Sequence, residues 1–411
     1  MKKAVATKSK VAFATAIMMV AVGMAGTASA TAEEVTSLSE IFTKGDINLS
    51  FRYRYEYVDQ DVDTLNVAKA STLKSRLTLT SASFHGFSGL LEVDDVAQIG
   101  SESYATPSNG KASQYPIVAD PDGTDINQAF LKYKNDYFAG TAGRQRINHA
   151  GQRFVGWRQN EQTYDALRLE LPVGPIKLDY SYIWDVNRVF GPDTGGAQPR
   201  RFDSDSHALY LSYSPAAGHN IGVYAYLLDF DNRVENVTGN SSQTYGVEYN
   251  GAFGPITVAA AAASQTDYGD NATDYDAEYY LVELGTKVKG VGLGIGYELL
   301  GSDDGKKAFS TPLATLHKFQ GWADMFLVTP NDGIEDLYSK VTSSVAGVSL
   351  AAFYHDFNAD EGSADYGEEF DIVATYPINR NLSVELKYAM YNADEFAVDT
   401  EKVWFTVNYT F

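Results

Sequence analysis

A period-two alternation of apolar and polar residues recurs along almost the whole chain, and it constrains the fold more than any other feature. In the segment 46–58 the odd positions from 47 to 57 are aliphatic or aromatic, whereas the even positions from 48 to 56 carry Asn, Ser, Arg and Glu. The segments 176–186 and 382–392 repeat this split. Such alternation predicts β-strands with one apolar and one polar face, in either a soluble sandwich or a membrane barrel.

Eighteen segments of this kind are predicted, and an even number is typical of bacterial single-chain barrels. Because the boundaries of single strands are imprecise, sixteen strands stay open as an alternative. The segments are 46–58, 70–82, 87–96, 125–134, 137–145, 164–171, 176–186, 206–214, 220–229, 243–250, 256–266, 276–288, 291–300, 334–342, 345–357, 368–376, 382–392 and 400–411.

The lengths of the connections separate the two architectures. Short links such as 83–86 and 289–290 alternate with long polar ones such as 97–124 and 301–333. Outer-membrane barrels have short periplasmic turns and long outer loops, whereas a sandwich has no reason to segregate loop length by end. The sequence therefore predicts an all-β chain that forms a transmembrane antiparallel β-barrel of about eighteen strands, of the outer-membrane type.

The first thirty residues have the pattern of a secretory signal peptide. Four lysines precede an apolar stretch, 11–24, that is too short for a stop-transfer helix, and Ala28-Ser29-Ala30 is a small-x-small cleavage site. We expect cleavage near Ala30, with 31–411 forming the barrel. Because the removed segment holds four lysines and no acid, the net charge would fall from −21 to −25.

Composition removes several classes of function. The chain has no cysteine, which excludes disulfide frameworks and zinc ribbons, and its 53 acidic against 32 basic residues argue against nucleic acid as a partner. Its six histidines are scattered singly, outside any G-x-S-x-G or metal-ligand spacing, so we expect no enzyme and no bound cofactor. A barrel of about 16–18 strands leaves an aqueous channel, which predicts a porin.

Basic side chains are concentrated in the first half of the chain, where eleven of the thirteen arginines precede residue 202. Those on polar strand faces should point into the lumen, because a guanidinium that faces lipid at mid-depth costs about 2–4 kcal/mol. They form either an anion path or ion pairs with lumen carboxylates that brace the barrel, and both roles can coexist. The predicted substrate-path residues are Arg52, Arg54, Lys74, Arg76, Arg144 and Arg168.

The longest connection, 301–333, is unusually apolar for an outer loop, and loops of this length normally carry function. Ser310 and Pro312 are suited to begin a short helix that runs to about Leu327. We expect this loop to fold into the barrel mouth and narrow it; the alternative is that it packs on neighbouring loops or touches lipopolysaccharide. The candidate constriction residues are His317, Trp322 and Asp324.

Three further features predict partners at the membrane. Aromatic residues toward strand ends suit both bilayer interfaces, which implies contact with outer-membrane lipids and lipopolysaccharide. The last strand ends on Phe411, and it resembles the recognition strand that the barrel-assembly machinery reads. Carboxylates gathered in two outer loops are candidates for Ca²⁺ binding or else a solvated surface. These carboxylates are Asp59, Asp61, Asp63, Asp267, Asp270, Asp274 and Asp276.

The stretches Gly143-Arg144-Gln145, 152–158 (QRFVGWR) and 164–168 (YDALR) resemble the signature of the alginate export family of outer-membrane porins. The stretch 313–324 resembles a loop of porin-like relatives within the same broad group. Such porins are 18-stranded monomeric barrels whose arginine-lined pore passes a polyuronate. The resemblance, clearest over about 125–190, therefore implies the same fold and substrate class here.

The resemblance and the lumen arginines together predict a channel for anionic oligosaccharides or polyuronates such as alginate, in export or in uptake. The alternative is a general diffusion porin for small hydrophilic solutes, in which the arginines only set the transverse field of the lumen. We expect anion-preferring pores despite the acidic chain, because selectivity follows the narrow lumen while much of the acidity lies in the loops.

Overall fold

The protein, analysed as a computed structural model, is described over residues 37–100, 102–149, 159, 161–191, 199–231, 238–314 and 316–411. The predicted signal peptide, the stretch 152–158 and its two arginines, Arg153 and Arg158, lie outside these ranges. The described strands form one antiparallel sheet of 18 strands, closed by pairing of the first strand with the last. The prediction of an 18-stranded barrel is confirmed, and the alternative of sixteen strands is wrong.

The strands occur where the alternation predicts them, with ends that differ by a few residues, and one short helix, α1 (Leu38–Thr43), precedes the first strand. The strands are β1 (Asp46–Gln60), β2 (Ala68–Thr80), β3 (Phe87–Gln98), β4 (Gly123–Lys134), β5 (Ala139–Gln145), β6 (Thr163–Val173), β7 (Ile176–Asn187), β8 (Arg201–Ala216), β9 (His219–Leu228), β10 (Ser242–Phe253), β11 (Ile256–Asp267), β12 (Asp276–Val288), β13 (Val291–Leu300), β14 (Ile334–Val345), β15 (Val348–Asn358), β16 (Asp365–Pro377), β17 (Leu382–Ala393) and β18 (Thr400–Thr410). Two 3₁₀ turns, Thr238–Asn240 and Leu316–Lys318, lie in the loops.

Connections at the two ends of the barrel differ in length as predicted. At one end, two-residue turns join β12 to β13 and β14 to β15. In both turns the residues have positive φ, 50° and 89° at Lys289 and Gly290 and 51° and 83° at Ala346 and Gly347. This backbone matches the right-handed twist of paired strands and makes a tight hairpin. The loops at the other end reach the 33 residues of 301–333.

The outer surface of the barrel is an apolar belt. Large hydrophobic side chains stay exposed on alternate strand positions, and this is the face that a lipid bilayer would cover. Among the described residues, no helix is long and apolar enough to cross a membrane. The most exposed members of the belt include Leu131, Val223, Val247, Val282, Ile295, Leu337 and Leu386.

The C-terminus completes the seam between the first and last strands. The backbone N–H of Phe411 donates to the carbonyl of Leu49 at 2.8 Å, and the Phe411 residue is 77% exposed. Its recognition by the assembly machinery stays a prediction. The short helix α1 lies at the same end, where the carbonyl of Ile41 accepts the N–H of Ala82 at 3.2 Å.

Candidate functional site

One side of the lumen carries the predicted cations. Arg52, Arg54, Lys74, Arg76 and Arg168 lie on the strand faces opposite the apolar belt, in β1, β2 and β6, and we call this set the arginine wall. The side chains of Arg54 and Lys74 are almost fully buried. The strands alone do not cover them, because residues of two outer loops, 99–122 and 146–162, reach inward and contact them.

Glu161, carried by the loop 146–162, joins cations from different parts of the wall. Its carboxylate lies 2.7 Å from Arg76 and 3.4 Å from Lys74, and Arg146, just after β5, donates to it at 2.7 Å. Arg76 in turn forms two hydrogen bonds of 2.6 Å with Asp94 of β3. Three cations therefore converge on one carboxylate that the barrel wall itself does not supply.

The electrostatics of Glu161 follow from this geometry. Burial acts to raise the pKa of its carboxyl, but the charges of Lys74, Arg76 and Arg146 outweigh burial and hold the pKa well below its usual range. Glu161 is therefore ionised across physiological pH, and the cluster keeps its full set of charges.

Arg54 and Arg168 of the wall are also compensated. Arg54 donates to Glu56 at 3.0 Å and lies 3.7 Å from Asp120 of the loop 99–122. Arg168 holds Asp179 of β7 through Nε at 2.9 Å and through a second, shorter bond. The bracing ion pairs considered above are thus present, and the role of the same residues in an anion path stays a prediction.

The prediction that Arg144 faces the lumen is wrong. Along β5, Thr141 pairs with the inward-facing Arg168, and Gln145 pairs with Tyr164, whose hydroxyl reaches the inserted loop 301–333. Directly paired residues share a face, so Arg144 points outward, near the outer end of its strand. There it forms an ion pair with Asp165 at 2.8 Å, and this partner offsets the cost of an outward charge.

The opposite side of the lumen pairs carboxylates with tyrosine hydroxyls, and we call it the tyrosine wall. Each phenol donates to a glutamate on a nearby strand, and a neutral phenol satisfies a carboxylate without neutralising it. Glu283 in addition forms an ion pair with Lys340 at 2.6 Å. The pairs are Tyr210 with Glu248 at 2.5 Å, Tyr279 with Glu298 at 2.6 Å, and Tyr338 with Glu283 at 2.9 Å.

Glycines let the rings of this wall lie flat. A Cβ atom added at Gly246 would overlap the ring of Tyr224, and one added at Gly296 would overlap the ring of Tyr338. The rings of Tyr224 and Tyr226 stack with their centroids 5.2 Å apart. The wall is therefore smooth and aromatic, with carboxylates between the rings.

The loop 301–333 lies inside the barrel and meets distant parts of the wall. The carbonyl of Leu313 accepts a hydrogen bond of 2.5 Å from Gln162, which immediately precedes β6. Farther along the loop, Asp324 forms an ion pair of 2.7 Å with Lys402 of β18. Because β6 and β18 are well separated around the barrel, the loop crosses part of the lumen; the narrowing of the pore stays a prediction.

The three predicted constriction residues come together. His317 Nδ1 lies 2.7 Å from a carboxylate oxygen of Asp324, and Lys387 of β17 donates to His317 Nε2 at 2.5 Å. The ammonium group of Lys387 is also 4.9 Å from the ring of Trp322, within range of a cation–π contact. A carboxylate, an imidazole and an ammonium group thus fasten the loop to the barrel wall.

The helix predicted over 310–327 is wrong. In the described part of this segment the structure has a single 3₁₀ turn, Leu316–Lys318. Gln320, Gly321 and Asp324 have positive φ values of 49°, 77° and 66°, outside the range of a right-handed helix.

A carboxylate on the wall takes the place of helical hydrogen bonds in this loop. The backbone N–H groups of Trp322 and Ala323 both donate to Glu369 of β16, the second at 2.7 Å. The N–H of Trp322 also lies 3.2 Å from Asp371. Tertiary contacts with fully buried acids therefore override the local preference for helix.

Sequence reasoning missed Glu161 and Glu369. Glu161 is the single acid between Arg144 and Asp165, in the most arginine-rich part of the chain. A lone acid among several arginines indicates an ion-pair partner, and this was the signal in the sequence that could have identified it. Glu369 offers no comparable signal, because its role depends on a loop more than forty residues away in sequence.

The acidic outer loops do not form a recognisable metal centre. Among the described residues, no three His, Asp or Glu side chains gather into a group that would hold a metal ion. Calcium binding at Asp59, Asp61 and Asp63, or at the acidic loop 267–276, stays a prediction.

Comparisons with known proteins agree with this architecture. The family described as Alginate export matches residues 44–300. The structure of OccAB4 from Acinetobacter baumannii has a TM-score of 0.69 at 16% identity, covering 89% of this chain and 98% of that chain. OccK9 (OpdG) from Pseudomonas aeruginosa gives 0.67 at 16% identity, with coverage of 89% and 98%. At these identities the likeness shows the fold, and a search of curated proteins finds no match.

Proposed function

The chain belongs to the alginate export family, and from that premise we propose that its lumen passes anionic oligosaccharides or polyuronates such as alginate. A member of this family is an outer-membrane channel and not an enzyme. The substrate class and the part played by the arginine wall are the proposal. The direction of transport proposed is export.

The observation that carries the proposal is the convergence of Lys74, Arg76 and Arg146 on Glu161. Glu161 belongs to a loop, and without it the three cations would have only two carboxylates of the barrel wall as partners, Glu92 and Asp94. A uronate carboxylate has the same charge and the same two acceptor oxygens as the Glu161 side chain. A passing polyuronate can therefore exchange with Glu161, and planar guanidinium groups suit such a carboxylate.

The tyrosine wall supports the same substrate class in a different way. Flat aromatic surfaces such as the stacked Tyr224 and Tyr226 suit the apolar faces of sugar rings. The glutamates between the rings repel carboxylates and favour their alignment toward the arginine wall. A saccharide with one charged edge would then travel with that edge toward the arginines.

General diffusion of small solutes is the second candidate. It is favoured by the ion pairs of the arginine wall, since Arg54, Arg76 and Arg168 all have carboxylate partners within 3.0 Å. A fully compensated wall exerts little net attraction on a passing anion. In that case the inserted loop 301–333 would set only the size limit.

Vesicles that contain the purified protein test the two candidates. Glucuronate and glucose have nearly equal sizes. We expect glucuronate to enter faster than glucose through a selective channel, and the two sugars to enter at nearly equal rates through a general one. In Glu161→Gln the three cations lose the carboxylate that they share and keep only Glu92 and Asp94, so we expect short oligoglucuronates to block single-channel current more tightly. Glu102→Gln is the matched control, because Glu102 pairs with Lys111 in an outer loop.

Equal entry rates for the two sugars, together with unchanged block in Glu161→Gln, would favour general diffusion. Stronger block in Glu161→Gln but not in Glu102→Gln would support the exchange of carboxylates at the arginine wall. Genes for polymer synthesis beside this one would support export, whereas polysaccharide lyase genes would indicate uptake.

A further inference from the structure

A cavity of about 420 Å³ lies at the end of the lumen that carries the short turns. Its floor includes Lys134, Asn135 and Phe138 around the turn between β4 and β5, and its roof includes His149. Short turns face the periplasm in outer-membrane barrels, so this cavity is at the periplasmic mouth.

Strand register places the polar lining of this cavity on the inner face. Glu170 of β6 pairs with Asp179 of β7, and Asp179 pairs with Tyr210 of β8. Lys177, two residues before Asp179, shares its face, and Lys132 pairs with the inward-facing Thr141. The cavity is therefore part of the lumen and not a groove on the lipid-facing surface.

The charges of this cavity differ from those of the arginine wall. Lys134 and Lys177 are exposed and have no carboxylate of the described residues within 4.0 Å, and Lys132 is 3.4 Å from Glu170. Asp179 is already held by Arg168. Three lysines thus face a single available carboxylate, which leaves an excess of positive charge where the lumen meets the periplasm.

The roof of the cavity is aromatic and rigidly held. The ring of His149 stacks on that of Tyr210 with centroids 5.2 Å apart, and His149 Nδ1 lies 2.8 Å from the hydroxyl of Tyr226. The site therefore combines exposed ammonium groups at its mouth with a flat aromatic surface deeper in. Carboxylated sugars offer the complementary pair of features, a charged edge and an apolar ring face.

We propose that this cavity is a capture site for carboxylate-bearing saccharides arriving from the periplasm, with Lys132, Lys134 and Lys177 as the binding cations. The proposal rests on the proposed function and deepens it by assigning an entrance. The lysines bind the first uronate units and pass them to the arginine wall above. Binding is then asymmetric, because the cavity is reached from the periplasmic side.

Single-channel recordings with a short oligoglucuronate added to one side at a time test this site. Because the chain has no cysteine, the variant Ser363→Cys, in an exposed outer loop, reports the orientation of each inserted pore through an impermeant thiol reagent. We expect tighter block from the periplasmic side. In the triple variant K132Q/K134Q/K177Q the dissociation constant for that block should rise about tenfold, equivalent to about 1.4 kcal/mol.

The matched control is K287Q/K289Q/R380Q, which removes three positive charges from the same end of the barrel outside the cavity. We expect it to leave the periplasmic block unchanged. Gel mobility equal to that of the folded wild-type barrel verifies that each variant has folded. Equal block from both sides, or equal weakening by both triple variants, would overturn the capture site.

The flux measurement separates this proposal from the proposed function. A pore that prefers glucuronate to glucose but shows no lysine-dependent periplasmic block would contradict the capture site alone. A pore without that preference whose periplasmic block still depends on the three lysines would contradict the proposed function and support the capture site.

Discussion

The arginine wall and the tyrosine wall both bury carboxylates, but they satisfy them with different chemistry. On the arginine wall, Asp94 and Asp179 accept hydrogen bonds from guanidinium groups, so donor and acceptor charges cancel. On the tyrosine wall, Glu248 and Glu298 accept from phenol hydroxyls, which are neutral. The first arrangement compensates charge locally, and the second leaves negative charge on the lumen surface.

The difference separates two tasks that lumen residues perform. Ion pairs between neighbouring strands stabilise the barrel, and removing one partner of such a pair leaves an uncompensated buried charge. Tyrosine hydroxyls stabilise less but preserve the field that a permeating ion meets. The two walls should therefore respond differently to substitution, in stability on one side and in selectivity on the other.

The largest effect is expected for Arg76→Met. Asp94 and Glu161 would both lose a charged partner, and breaking a buried pair of this kind costs about 3–5 kcal/mol of unfolding free energy. Urea unfolding of the barrel in lipid vesicles measures the loss. Arg76→Lys keeps the charge without the paired hydrogen bonds to Asp94, so its loss should be distinctly smaller. Equal losses in the two variants would show that charge compensation is not what stabilises this wall.

A smaller effect, on selectivity, is expected when Glu248, Glu283 and Glu298 are changed to Gln together. Each charge contributes about 0.7 kcal/mol to an ion 6 Å away at the dielectric of water, or about 2 kcal/mol for three. Salt reduces this over about 8–10 Å. The reversal potential under a salt gradient should shift toward anions.

The matched control for this selectivity prediction is E278Q/E335Q/E368Q, which removes three outward-facing charges near the outer rim. Glu278 and Glu335 accept hydrogen bonds from the exposed tyrosines Tyr280 and Tyr297, away from the lumen. If both triple variants shift the reversal potential equally, the tyrosine wall has no special part in selectivity.

The smallest effect is expected for Tyr338→Phe. Glu283 would lose one hydrogen bond but keep the ion pair with Lys340 at 2.6 Å, so the unfolding free energy should fall by about 1 kcal/mol. The same urea experiment measures it beside Arg76→Met. A loss as large as that of Arg76→Met would abolish the distinction between the walls.

Arg144 and Arg168 show where inference from sequence succeeds and where it fails. Arg168 lies between Leu167 and Leu169 in an uninterrupted alternation, and that alternation places it inward. Arg144 has no such pattern around it, because β5 is only seven residues long and its neighbours are small or polar. The register with β6 reverses its predicted position in the lumen.

By itself the sequence determined the barrel, the number of strands, the end that carries the long loops and most of the inward-facing cations. These features follow from local periodicity, since a strand with one apolar and one polar face has few ways to be buried beside lipid. The tertiary structure alone decided which carboxylates complete the cation clusters, because Glu161 and Asp120 arrive on loops whose paths no periodicity encodes. It also decided the conformation of the loop 301–333, where the buried carboxylate of Glu369 binds backbone N–H groups that a helix would otherwise have used.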